Sequence, residues 1–154
     1  MKLHYHRLNS SVMSNNRILQ ISLDIYIKAY EIDAMGIVSN IVYVKWFEDM
    51  RHIFLDQFYT YKEMMTENRS PILTKTEVEY KTPLTIFDQP TGYAWMEELG
   101  ASKWVMAFEI RSGETVHCSG RQSGCFYDVN RKRPIPWPKV AVERYLAAAE
   151  KNKH

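Results

Sequence analysis

Apolar and polar positions along the chain change their period several times, and each change marks an element. In residues 21–32, Ile21, Leu23, Ile25 and Ile27 share one parity while Ser22, Asp24, Tyr26 and Lys28 take the other. That period of two predicts a half-buried strand. From Ile41 the apolar residues return at helical spacing instead. Tyr43, Trp46, Phe47, Met50, Ile53, Phe54 and Phe58 form the stripe, with Lys45, Asp49, Arg51 and His52 between them, which predicts a long helix. Ser39 and Asn40 stand where a short side-chain oxygen can cap its first turn. The stretch "TYKEMMTENRS" reads as a polar connector. Beyond Pro71 the pattern is strand-like over residues 72–81, 90–99, 102–111 and 114–129, broken at Thr82-Pro83, Gly100 and Ser112-Gly113. The short gaps at the last two breaks read as hairpins. After the loop "NRKRPIPWP" the tail predicts a terminal helix that begins past Pro138.

The order is strand, long helix, four strands in an antiparallel meander, and a helix. The central helix has too wide an aromatic face to lie on a surface, so the sheet must curl around it. The expected class is α+β: an antiparallel sheet of about five strands wrapped around one long central helix, with a C-terminal helix, which is the hotdog architecture. Such a sheet leaves an open edge, and pairing edges across a two-fold covers it. A homodimer, or a tetramer of such dimers, is therefore expected.

Composition narrows this picture only modestly. The 154 residues suit one domain over residues 21–150, and 45% hydrophobic with 25% charged residues is ordinary for a globular chain. A net charge of +2 is too small for a nucleic-acid reader, which would carry a strong basic stripe. No apolar run approaches the ~18 residues of a membrane span. Cys118 and Cys125 make no disulfide framework, which points to a cytoplasmic protein. Residues 1–20 hold Lys2, Arg7 and Arg17, no acid and no apolar core of a secretory signal. They are expected to be a disordered leader, dispensable from Met1 to about Met13.

The chemistry concentrates where the first strand stops. Asp33 ends the strand pattern, Gly36 follows, and the helix begins a few residues later. A short acid at such a place is often a turn residue. It is also well placed to act as nucleophile or base beside a helix N-terminus, whose unpaired N–H groups suit a developing oxyanion.

The stretch "YEIDAMGIVSNIVYVKWFEDMR" resembles the signature of hotdog-fold acyl-CoA thioesterases of the 4-hydroxybenzoyl-CoA thioesterase type. That signature has an aspartate, a glycine three on, a tyrosine ten on, and a Glu and an Arg in the following helix. Asp33, Gly36, Tyr43, Glu48 and Arg51 stand at those positions. The segments "VEYKTPLTIFD" and "NRKRPIPWPKVAVERY" resemble the family's strand–Pro–gate–Asp and closing proline stretches. The resemblance implies that Asp33 attacks the thioester carbon or activates the water that does, and that backbone N–H groups near Asn40 hold the carbonyl oxygen. It implies catalytic places for Tyr43 and Glu48, and substrate contacts from Gly36, Ile37, Val38 and Trp46. Lys103, Arg131 and Arg133 take the places of cations for coenzyme A phosphates.

Several relatives carry His where this chain has Asn40. Asn keeps a donor and an acceptor but does not shuttle a proton near pH 7. Ile37 and Ser39 depart from a further branch that has paired asparagines after a His. Glu48 reads either as a second acid/base group with a raised pKa or as the salt-bridge partner of Arg51 at i+3.

No metal and no cofactor is expected beyond the coenzyme A of the substrate. His117, Cys118 and Cys125 lack a CxxC pair, and the two cysteines differ in strand parity. The expected function is an acyl-CoA thioesterase. An acyl-carrier-protein thioesterase, a hydratase (which would use a His, here only His52 late in the helix) and a non-catalytic acyl-binding protein are the alternatives.

Overall fold

The computed structural model describes residues 17–154. The strands are β1 (Ile18–Asp24), β2 (Arg69–Tyr80), β3 (Thr91–Leu99), β4 (Lys103–Ser112), β5 (Thr115–Asp128) and the short β6 (Arg133–Pro134). The helices are α1 (Asn40–Phe58), α2 (Tyr61–Glu67) and α3 (Lys139–Lys151). The expected stripe of α1 is the centre of the core. Phe47, Met50, Phe54 and Phe58 are fully buried, and Phe47 stacks on Phe108 of β4 with ring centroids 4.6 Å apart. The curled antiparallel sheet around one long helix is the architecture expected from the pattern.

The strand order is β1-β3-β4-β5-β2, with β6 beside the end of β5. Only β3, β4 and β5 form the expected meander. β2 pairs antiparallel with β5, Tyr80 opposite Cys118 and Arg69 opposite Asp128. Residues 81–90 therefore cross the open end of the curled sheet to reach β3 on the other side. On the way, Leu84 accepts a backbone hydrogen bond from Val38 at 2.8 Å, and Pro90 accepts one from Ile25 at 3.0 Å. This crossing holds the loop before α1 in place. A run of strand-like segments does not reveal it, because periodicity reports a buried face and not which strand lies alongside.

Three boundaries differ from the sequence reading. The first strand stops at Asp24 instead of continuing to Ile32. The Glu31 carboxylate accepts from the Lys28 N–H at 2.9 Å and turns residues 29–31 into a 3-10 helix, a local bond that competes with the ladder. The polar connector holds α2, begun by a capping box in which Thr60 and Glu63 satisfy each other's backbone N–H groups. Its signature, T-x-x-E, is legible in the sequence. The leader expected over residues 1–20 lies outside the described residues as far as residue 16. Residues 17–20 belong to the fold: Arg17 lies over the Trp95 ring at 3.8 Å and bonds Glu109 at 3.0 Å.

Candidate active site

The loop from Asp33 to α1 is a compact turn tied at both ends. The Asp33 N–H donates to the Ile37 carbonyl at 2.8 Å, and the Gly36 N–H donates to the Asp33 carbonyl at 3.0 Å. The Asp33 carboxylate accepts through Oδ1 from the N–H groups of Met35 at 2.8 Å and Ile37 at 3.4 Å. Gly36 has φ +78°, which the turn needs and most side chains disfavour. A single bridge pairs Ile32 with Val38, and the Ser39 N–H donates to Glu31 at 2.9 Å. Asp33 is exposed, so its carboxylate is both a turn-former and open to a ligand.

Helix α1 starts directly behind this turn. Its N-cap is Ser39, without a side-chain cap bond, so neither expected cap oxygen is used that way. Val42 N–H turns back to the Ser39 carbonyl at 2.9 Å. By helix geometry the N–H groups of Asn40 and Ile41 are left to find acceptors outside the helix. Asn40 is exposed, and its carbonyl accepts from the Tyr80 hydroxyl at 2.9 Å. The Asp33 turn thus closes at Ile37, three residues before the unpaired donors of α1 begin.

The remaining expected residues divide sharply. Val38 is buried at 1% exposure beneath residues 81–90, whereas Ile37 is partly exposed. Tyr43 and Trp46 are core residues at 3% exposure and pack edge to face, 5.3 Å between centroids. Burial pushes the Tyr43 hydroxyl up to about 12, which the backbone of Leu84 only partly offsets. That favours the neutral phenol, and Trp46 faces the core instead of an open site. Lys103, Arg131 and Arg133 stand at the opposite end of the sheet. Between Cys118, beside the Asn40 end, and Asp128, opposite Arg133, β5 spans on the order of 30 Å. One chain does not bring these cations to Asp33.

Glu48 is the salt-bridge partner of Arg51, at 2.5 Å. The pair is anchored by a residue the sequence reading missed. Gln122, fully buried on β5, accepts from Arg51 Nη1 at 3.0 Å and donates to Glu48 Oε1 at 3.3 Å and to Thr76 Oγ1 at 3.4 Å. A polar side chain on the apolar parity of a central strand was the available signal, since burying an amide is costly unless it is bonded.

Among the described residues no group of three His, Cys, Asp or Glu side chains could hold a metal ion. His117 instead binds the Thr82 carbonyl at 3.0 Å and Ser112 Oγ at 2.9 Å. Burial pushes the Cys118 thiol up to about 12, which makes it inert as a nucleophile near neutrality.

Known proteins share both the sequence pattern and the fold. Residues 27–145 match the thioesterase-like superfamily. The chain belongs to that superfamily, and the thioester hydrolase expected from the sequence is the enzyme class it defines. A candidate esterase of Aquifex aeolicus (strain VF5) is 28% identical over 118 residues, covering 76% of this chain and 91% of its own. Solved structures share the fold. A Staphylococcus aureus protein in complex with CoA superposes with a TM-score of 0.78 at 14% identity, over 93% of this chain and 89% of that one. A Thermus thermophilus thioesterase complexed with coenzyme A and Zn gives 0.74 at 18%, over 86% and 96%. A predicted thioesterase of Bacillus stearothermophilus gives 0.74 at 21%, over 84% and 96%.

Proposed function

We propose that this chain is an acyl-CoA thioesterase of the 4-hydroxybenzoyl-CoA thioesterase type, acting through Asp33. The observation that carries the reading is the Asp33 turn set against the outward N–H groups of Asn40 and Ile41 at the start of α1. A thioester carbonyl oxygen on those donors gains their partial positive charge as it becomes an oxyanion. Asp33 then attacks the carbon, expelling the thiolate and leaving a mixed anhydride that water opens. Alternatively it takes a proton from the water that attacks. Asn40 serves through its backbone; its side chain has no proton to shuttle near neutral pH. No metal or cofactor enters either route.

Coenzyme A is favoured over an acyl carrier protein because two structural relatives are complexed with it. Its phosphates need cations that one chain keeps far from Asp33, and this motivates a second copy. Among the described residues β2 is the last strand on its side of the sheet, and it is 12 residues long. Antiparallel pairing of two such edges sets the Arg69 end of one copy beside the Tyr80 end of the other. Lys103, Arg131 and Arg133 of the second copy then approach the first copy's Asp33. Exposed Tyr26, Tyr30, Met35, Ile41, Ile86 and Phe87 around the site fit a face covered on assembly. No described helix is long and apolar enough to cross a membrane, and the two free cysteines favour the cytoplasm.

Release of free thiol from a panel of acyl-CoAs, with Asp33→Ala as control, tests the reading. Turnover lost in Asp33→Ala supports it. A panel with binding but no turnover leaves an acyl-binding protein as the answer.

A further inference from the structure

A cavity of about 70 Å³ lies between the second half of α1 and strands β3 and β4. Phe54, Phe58, Met96, Met106 and Trp137 form its buried walls. Half-exposed Tyr61 and partly exposed Ser70 and Pro71, at the start of β2, form its rim. Within one chain it is remote from the Asp33 turn. Arg51 on its wall stands roughly three helical turns beyond Asn40, on the order of 16 Å along α1.

Pairing of two β2 edges changes that relation. It lays the Tyr80 end of the second copy along the Arg69 end of the first, and so along Ser70 and Pro71. In each copy the Tyr80 hydroxyl donates to the Asn40 carbonyl at 2.9 Å, so the start of α1 travels with that strand end. The second copy's Asp33 turn and helix start thus come to the rim of the first copy's cavity. A thioester carbonyl held there has this cavity in reach of its acyl tail.

Size and charge then select the tail. The 70 Å³ is roughly half of the 150 Å³ or so that takes up a benzene ring in an apolar protein cavity. At about 30 Å³ for each water-sized unit, it admits roughly two or three carbon-sized groups. The charge of Arg51 is already answered, by Glu48 at 2.5 Å and by the Gln122 side-chain oxygen at 3.0 Å. A carboxylate at the end of the tail would meet Glu48 as a like charge.

We propose that this cavity takes the acyl tail of a thioester held by the second copy, and that it restricts the substrate to short acyl groups of propionyl or butyryl size without a terminal carboxylate. The proposal rests on the Asp33 reading and on the paired β2 edges.

Turnover of acetyl-, propionyl-, butyryl-, succinyl-, octanoyl- and benzoyl-CoA by the full chain, read as released thiol, tests the size and charge limits. From acetyl to butyryl, kcat/KM should rise roughly fourfold for each methylene buried. Octanoyl-, benzoyl- and succinyl-CoA should fall roughly tenfold or more below butyryl-CoA. Met64→Trp, which fills the cavity from α2, should lose butyryl-CoA and keep acetyl-CoA. Refolding Met64→Trp together with Asp33→Asn tests the sharing of the site. One site in each mixed dimer then has an intact turn and an intact cavity, which restores about a quarter of wild-type butyryl-CoA turnover. A wild type that prefers octanoyl-, benzoyl- or succinyl-CoA overturns the proposal and leaves the Asp33 reading standing. So does a mixture no faster than its two components. No turnover of any acyl-CoA overturns both.

Discussion

The Asp33 carboxylate accepts a hydrogen bond from the Met35 N–H at 2.8 Å, two residues further along the chain. The same group that shapes the turn is the proposed reagent, and one substitution separates the roles. Asn keeps the accepting oxygen but loses the charge. Asp33→Asn should therefore leave the melting temperature within about two degrees of wild type. Turnover of the best acyl-CoA should drop by roughly a hundredfold or more, about 3 kcal/mol of transition-state stabilisation. Near wild-type turnover would make Asp33 a turn residue only and move attention to Glu48.

Asn40 provides the contrast. The N-cap is Ser39, and no side-chain cap bond is made, so the usual loss of about 1 kcal/mol for a cap does not apply. Asn40→Ala should change stability by less than about 0.5 kcal/mol and retain most turnover, because the proposed donor is the backbone. A large fall in turnover without a fall in stability would assign the side chain itself to the reaction.

Gln122 joins the central strand to the central helix through Arg51, Glu48 and Thr76. Gln122→Leu keeps the volume but removes every one of these bonds. Arg51 and Glu48 are partly exposed and recover water, so the cost should be about 1–2 kcal/mol, below that of a fully buried orphan. Urea unfolding should show a lower midpoint at unchanged slope.

Glu63 makes two hydrogen bonds with Arg144, at 3.0 and 3.1 Å. The Arg144 guanidinium, helped by the Thr60 backbone, holds its carboxyl down to about 2 from an ordinary 4.5. A depressed folded-state value means stability that is complete above about 4.5 and lost as the pH falls towards 2. The side chains are 27% and 37% exposed, so water screens the pair and the contribution is roughly 1 kcal/mol. Arg144→Met should flatten the pH dependence of the melting temperature in that window. An unchanged acid limb would show that other carboxylates carry it.

Light scattering at micromolar concentration should give a dimer or tetramer. Lys75→Pro, in the middle of the β2 edge, should shift the chain towards monomer. A monomeric wild type would remove the second copy from the proposed site.

Local pattern determined a large share of this protein. The stripe Tyr43, Trp46, Phe47, Met50, Ile53, Phe54 and Phe58 is buried along α1 as its 3.6 period requires, and the breaks at Gly100 and Gly113 join β3, β4 and β5. The turn at Asp33 was legible too, because it depends on neighbours within four residues. Tertiary structure alone decided that β2 leaves β3 for β5, that Trp46 turns inward, and that Lys103, Arg131 and Arg133 stand at the far end from Asp33. It also brought Gln122 to Arg51 across 71 residues of sequence. The physical reason is range. Hydrophobic period and turn chemistry are set by contacts a few residues apart, whereas strand partners, buried polar bonds and the distance between two charges depend on how the whole sheet closes around its helix.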